Sequence, residues 1–157
     1  EIKKYTGVDF SSYLLEVATE FFKPSGNISY VNDEILNFVN TTEGCGLYSK
    51  ALVYGAMAYL SRQEFSQLVD QLNNRFVNCR DIFIGNIPNK HRAAKFYRDK
   101  ADLGLNLENP KSPIGVWWTP EEIQELGHQS GFEVEVLTMP PNFYASEYRF
   151  DVSLTRR

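Results

Sequence analysis

The order in which short apolar strands and amphipathic helices alternate, and the point where that alternation stops, constrains this chain more than any other feature. Strand patterns fall at residues 5–8, 27–31, 48–54, 81–84, 132–136 and 150–155. Ser11 or Ser12 can cap a helix that runs to about residue 22, with Tyr13, Leu14, Val17, Ala18, Phe21 and Phe22 on one face. Ile35, Leu36, Phe38 and Val39 make a short buried turn of helix or a packed loop. Ser61 and Glu64 form a capping box that opens a helix with Phe65, Leu68, Val69, Leu72 and Phe76 on its inner face. Thr119, Pro120 and Glu122 open another that ends at Gly131. The last two strands have no helix between them. Repeated strand–helix units imply an α/β chain with a mostly parallel sheet, and the short final connection makes the closing pair antiparallel.

Composition narrows the class. With 157 residues and a 43% apolar share, the chain can bury one real core. A net charge of −4 leaves no surplus to neutralise a phosphate backbone, so nucleic acid is not an expected partner. Lys90, His91, Arg92, Lys95, Arg98 and Lys100 are a local exception that reads as a solvated helix face. Two cysteines without metal spacing, Cys45 and Cys79, read as reduced thiols of a cytoplasmic protein. The longest apolar run, 51–60, is about half a membrane span, so no membrane partner is expected. No signal peptide opens the chain, and the lack of an initiating Met hints that something preceded residue 1.

Ligands of open α/β sheets bind outside the carboxyl ends of the strands. Asp9 stands at such an end, where it can accept hydrogen bonds from two neighbouring hydroxyls, as a ribose presents, or simply start the following helix as a cap or turn residue. Asn32, Asp33 and Glu34 end the next strand in the same way. The stretch Gly44-Cys45-Gly46-Leu47-Tyr48-Ser49 looks superficially like a phosphate loop. It leaves a loop and enters a strand, the reverse of what such a loop needs, and reads as a turn.

Taken end to end, Val8-Asp9-Phe10-Ser11, Tyr30-Val31-Asn32-Asp33, Leu52 to Glu64, Ile82 to Pro88, and Trp118 to Phe132 resemble successive segments of the class I S-adenosylmethionine (SAM)-dependent methyltransferases, from the second strand onward. The resemblance covers nearly the whole chain, and it is the order and spacing that carry it. It implies a Rossmann-like methyltransferase domain over residues 1–157, S-adenosyl-L-methionine as cofactor and no metal. It also implies that Asp9 holds the ribose hydroxyls, Phe10 the adenine face and Asp33 the adenine amino group, and that Gly55 and Ala56 allow close approach near the sulfonium. Read without it, Asp33 is a turn residue, and Gly55 and Ala56 serve close helix–sheet contact. The family's first strand and glycine-rich loop would lie before residue 5, so the resemblance implies a domain incomplete at its N-terminus, whose sheet is completed by an upstream segment or by self-association.

The acceptor is expected to be a small molecule, possible classes being sugars and natural products. Residues 89–115 are expected to form a lid or substrate insertion. Tyr59, Trp117, Trp118 and Tyr144 are the substrate-binding candidates, and His91 or Tyr59 the candidate general base. Trp117 and Trp118 are adjacent, so on an extended segment only one is expected to face the core. His91 can equally be a surface residue of a basic helix, and His128 near a helix end reads as structural. A non-catalytic methyltransferase-like interaction module, or a truncated fragment without cofactor binding, is the alternative. A nicotinamide-dependent dehydrogenase, which can also carry an acid after its second strand, is disfavoured by the closing antiparallel pair.

Overall fold

Local signals set most of the elements of the computed structural model, which describes residues 3–97 and 106–157. The strands are β1 (Tyr5–Asp9), β2 (Ile28–Asn32), β3 (Lys50–Tyr54), β4 (Asp81–Pro88), β5 (Phe132–Leu137) and β6 (Arg149–Arg156). The helices are α1 (Ser12–Phe21), α2 (Ile35–Thr41), α3 (Arg62–Asn74), α4 (Ala93–Tyr97) and α5 (Pro120–Gln129). Ser11 caps α1 by accepting from the Leu14 N–H. Both expected capping boxes form: Ser61 and Glu64 exchange bonds at the start of α3, Thr119 and Glu122 at the start of α5. Burial pushes the Glu122 carboxyl up, but the Thr119 backbone N–H and the Arg62 guanidinium together hold it below the usual carboxylate range.

The contacts divide the chain into two units, Glu1–Glu43 and Gly44–Arg157. In the first, β1 and β2 form a two-stranded parallel ladder in register from Tyr5↔Ile28 to Asp9↔Asn32. The expected inner face of α1 is not buried there: Tyr13, Leu14, Phe21 and Phe22 are exposed, and no residue of α1 is fully covered. Two strands of five residues offer too little surface to cover a ten-residue amphipathic helix.

In the second unit four strands run in the order β3-β4-β6-β5. β3 and β4 are parallel, whereas β6 is antiparallel to both β4 and β5. The expected antiparallel closing pair is present. The four-stranded sheet is however mixed rather than mostly parallel, because β6 inserts between β4 and β5 and so makes two antiparallel ladders instead of one. The apolar face of α3 (Phe65, Leu68, Val69, Leu72) is buried, as are Ile82 and Ile84 of β4 and Val152 and Leu154 of β6. α5 sits so close to β5 that a Cβ at Gly127 would lie 2.5 Å from the Val134 side chain.

Two local features differ from expectation. β4 does not end at Ile84; its pairing with β6 shifts register between Ile84 and Ile87 and then continues to Pro88. The shift is a bulge at Gly85-Asn86, with Asn86 in the left-handed region at φ 65°. Trp117 and Trp118 are both fully buried, not one of them. Their segment has packing partners on two sides: Trp118 meets Phe65 of α3 edge-on at 5.4 Å, while Trp117 lies among Phe96, Tyr97 and Tyr148. The expected 89–115 lid begins with a 3-10 turn, Lys90–Arg92, followed by α4; part of it falls on 98–105, outside the described residues.

Gly115 is the residue that lets the tryptophan segment come in. Its φ is +83°, and an added Cβ would stand 2.1 Å from the Ala58 carbonyl oxygen, which accepts the next N–H, that of Val116. Gly115→Ala is therefore expected to destabilise the second unit by about 3 kcal/mol, combining backbone strain with a forced shift of the Ala58–Val116 contact. Urea unfolding followed by tryptophan fluorescence measures it; an unchanged midpoint refutes the steric account.

Candidate active site

The carboxyl ends of β1 and β2 bring Asp9, Phe10, Asn32 and Asp33 together in the first unit. The Asp33 N–H donates to the Asp9 carbonyl at 3.1 Å. The Asn32 carboxamide donates to the carbonyls of Asp9 and Phe10, at 3.0 and 2.9 Å, and so pins the turn that leaves β1. One Asp9 carboxylate oxygen accepts the Ser11 N–H at 2.8 Å. The other has no hydrogen-bond partner among the described residues, and the Phe10 ring beside it is 58% exposed. Asp9 thus does the work of a helix-start turn and still presents an acceptor outward. Asp33 is engaged more fully: Glu34 N–H and the Asn37 carboxamide hold one oxygen at 2.9 and 2.8 Å, and Asn37 reaches the second at 3.0 Å. That is the geometry of a residue starting α2.

In the second unit the carboxyl ends of β3 and β4 carry Gly55, Ala56 and the Gly85-Asn86 bulge. Gly55 has φ 75° and donates its N–H to the Gly85 carbonyl at 3.0 Å. A Cβ there would meet nothing nearer than 3.8 Å, so backbone conformation, not crowding, calls for glycine. Ala56 opens a 3-10 turn, Ala56–Ala58, that delivers Tyr59 to the surface at 61% exposure. The bulge frees both backbone groups of Asn86, and β6 satisfies them: Asp151 accepts its N–H at 2.8 Å and Arg149 donates to its carbonyl at 2.7 Å. Neither Asn86 nor this clamp follows from the sequence pattern. An Asn between Gly and Ile inside a strand is the only local signal of a bulge.

The remaining candidates scatter. The His91 ring pairs with Glu121 at 3.0 Å, with both side chains mostly exposed, in keeping with a surface helix. Tyr144 is 84% exposed on the 138–146 connection. Trp118 donates its indole N–H to the Met57 carbonyl at 2.8 Å and lies under the Arg62 guanidinium at 4.5 Å, a structural engagement. Trp117 is as deeply buried, but its indole N–H has no partner among the described residues. Among the described residues no group of three His, Cys, Asp or Glu is placed to hold a metal ion, and no helix is long and apolar enough to cross a membrane.

No family model and no curated protein matches the chain. Solved structures do. The magnesium protoporphyrin IX methyltransferase of Synechocystis, with S-adenosylhomocysteine bound, superposes with a TM-score of 0.67 over 98% of this chain at 12% identity. The N-methyltransferase NodS of Bradyrhizobium japonicum gives 0.64 at 14% identity, also over 98% of this chain and over 74% of its own. A SAM-dependent methyltransferase of Methanosarcina mazei gives 0.68 at 13% identity, over 96% and 81%. The chain has the class I methyltransferase fold. It spans 64% of the Synechocystis enzyme's length. Within this methyltransferase fold, Asp9 and Phe10 fit the ribose and adenine of SAM in kind, an open carboxylate oxygen beside an exposed ring. Asp33 fits less well, because its carboxylate is already occupied by Asn37 and Glu34.

Proposed function

We propose that the chain belongs to a SAM-dependent methyltransferase that transfers a methyl group to a small-molecule acceptor in the cytoplasm. The observation that carries this reading is the outward acceptor of Asp9 at the carboxyl end of β1, in a chain with this fold. When bound, SAM supplies a methyl group already activated on a sulfonium, so the protein has to position and desolvate rather than to generate a reactive group. In this reading Asp9 accepts the ribose hydroxyls and Phe10 covers the adenine. The left-handed turn at Gly55 lets backbone come close to the cofactor's methionine end, followed by Ala56. Asp33 orients the loop before α2 and offers its remaining acceptor capacity to the adenine amino group. Tyr59, exposed just beyond β3, is the candidate for contact with the acceptor.

Among the described residues β1 has β2 as its only ladder neighbour, and β3 has only β4. Leu52 and Tyr54 of β3 are 66% and 50% exposed. Apolar strands with one open edge are costly to leave in water. The reading therefore includes a further strand, from an upstream segment or a second copy, that pairs with such an open edge.

The test is calorimetric titration of S-adenosylhomocysteine into the chain and into a version extended upstream. Binding in the micromolar range is expected for the extended protein. Asp9→Ala is expected to weaken it about 10–100-fold, the loss of two charge-assisted hydrogen bonds. No binding by a folded extended protein would overturn the enzyme in favour of a non-catalytic module with this fold.

A further inference from the structure

Three buried side-chain polar atoms among the described residues lack a hydrogen-bond partner: Tyr97 Oη, Trp117 Nε1 and Arg149 Nε. Each carries a hydrogen to donate. They belong to one neighbourhood. The Tyr97 and Trp117 rings lie 5.7 Å apart, Trp117 and Tyr148 6.3 Å, and the Arg149 guanidinium carbon lies 5.4 Å from the centre of the Tyr148 ring. Trp117 is 0% exposed and Tyr97 9%. Phe96 closes another side, 6.0 Å from Trp117 and 5.1 Å from Tyr148.

The rest of the second unit shows how unusual this is. The neighbouring Trp118 has its indole N–H on a carbonyl. Arg62 and Arg156 direct their guanidinium N–H groups at carbonyls and carboxylates. Arg149 gives one N–H to the Asn86 carbonyl and forms no salt bridge with any described residue. Buried donors are nearly always paired, and a group of them left unpaired in one place calls for a functional account. The place is also where ligands bind in such sheets: the Asn89 N–H just past β4 donates to the Tyr148 carbonyl at 2.9 Å, and the Trp118 N–H donates to the Pro88 carbonyl at 2.9 Å.

We propose that this aromatic cluster is the acceptor-binding site, and that it takes a planar aromatic ring bearing a carboxylate. The Trp117 ring offers a face for the ligand ring to stack against once the half-buried Phe96 and Tyr148 swing aside. The Tyr97 hydroxyl, the Trp117 indole N–H and the Arg149 Nε–H supply donors for a group that has only acceptors, and Arg149 supplies the matching charge. This rests on the methyltransferase reading for the word acceptor, but the binding it describes does not require the cofactor.

The test uses the chain extended upstream, with para-hydroxybenzoate as probe and para-hydroxybenzyl alcohol as the same ring without the carboxylate. The protein has two tryptophans, so two indole N–H resonances report the site directly. Titration with para-hydroxybenzoate is expected to move the Trp117 resonance downfield and leave that of Trp118 in place, the assignment being made with Trp117→Phe. The alcohol is expected to bind at least about tenfold more weakly, and Tyr97→Phe, which removes one oxygen and no packing, to weaken para-hydroxybenzoate by about the same factor while S-adenosylhomocysteine affinity is unchanged. Binding of S-adenosylhomocysteine with no response to either ring compound overturns this proposal and leaves the methyltransferase reading standing. Binding of para-hydroxybenzoate without S-adenosylhomocysteine does the reverse. Equal affinity for the two ring compounds, or an unmoved Trp117 resonance, also overturns it.

Discussion

Trp118→Ala is expected to remove about 3–5 kcal/mol of stability, the range for truncating a fully buried large aromatic residue. Three losses add. The ring leaves a cavity beside Phe65, which it meets edge-on at 5.4 Å. The Met57 carbonyl loses its donor at 2.8 Å and stays buried. Arg62, whose guanidinium lies 4.5 Å over the ring, loses the surface that holds it against Glu122 and the Trp117 carbonyl. A native domain is stable by only about 5–15 kcal/mol, so this one change is expected to consume much of the total. Denaturant unfolding measures it. Trp118→Phe provides the graded control: it keeps most of the volume and drops the N–H, for an expected loss of about 1–2 kcal/mol. Equal midpoints for the wild type and Trp118→Ala would show that the tryptophan segment is not part of the core.

Arg156→Ala is expected to cost about 3 kcal/mol, through the end of α3. The last carbonyls of a helix have no partner within it. Here Arg156 supplies them from the far end of β6. Its guanidinium donates to Leu72 at 3.0 Å, to the backbone and side chain of Asn73, to Phe76 at 3.1 Å and to Cys79 at 3.4 Å. It also lies 5.7 Å from the centre of the Phe132 ring. The charge complements the negative end of the helix dipole. Truncation leaves several carbonyls short of a donor, each worth about 1–3 kcal/mol where water cannot reach, and water at the sheet's end compensates part of that. Thermal unfolding measures the loss. Amide hydrogen exchange locates it, with the last turn of α3 expected to lose protection more than the amides of β4. Arg156→Lys, a point charge that reaches fewer carbonyls, is expected to fall between. Uniform loss of protection across the unit would argue against a capping role.

Both effects come from residues whose importance depends on distant chain. Arg156 is 77 to 84 residues from most of the carbonyls it serves, and Trp118 is 61 from Met57. The pattern of β6 places Phe150, Val152 and Leu154 inward. By the same alternation Arg156 points inward too, which hinted at a buried partner without naming it.

The amino-acid sequence by itself determined what a few neighbouring residues can encode. The two capping boxes, the inner face of α3, the helix stop at Gly131 and the antiparallel closing strands all lie within about one or two turns or one strand of their signals, and all appear as read. The position of Asp9 at the end of β1 was legible for the same reason, an acid placed by the length of the strand before it. Tertiary structure alone decided the rest. It placed both tryptophans inside, because packing partners came from α3 on one side and α4 on the other. It inserted β6 between β4 and β5, making the sheet mixed, since strand order depends on which edges meet and not on local propensity. It left the apolar face of α1 exposed over two short strands, and it gathered Tyr97, Trp117 and Arg149 from three separate segments. Periodicity can say that a side chain turns inward; only the residues brought against it through space decide whether it finds a partner there.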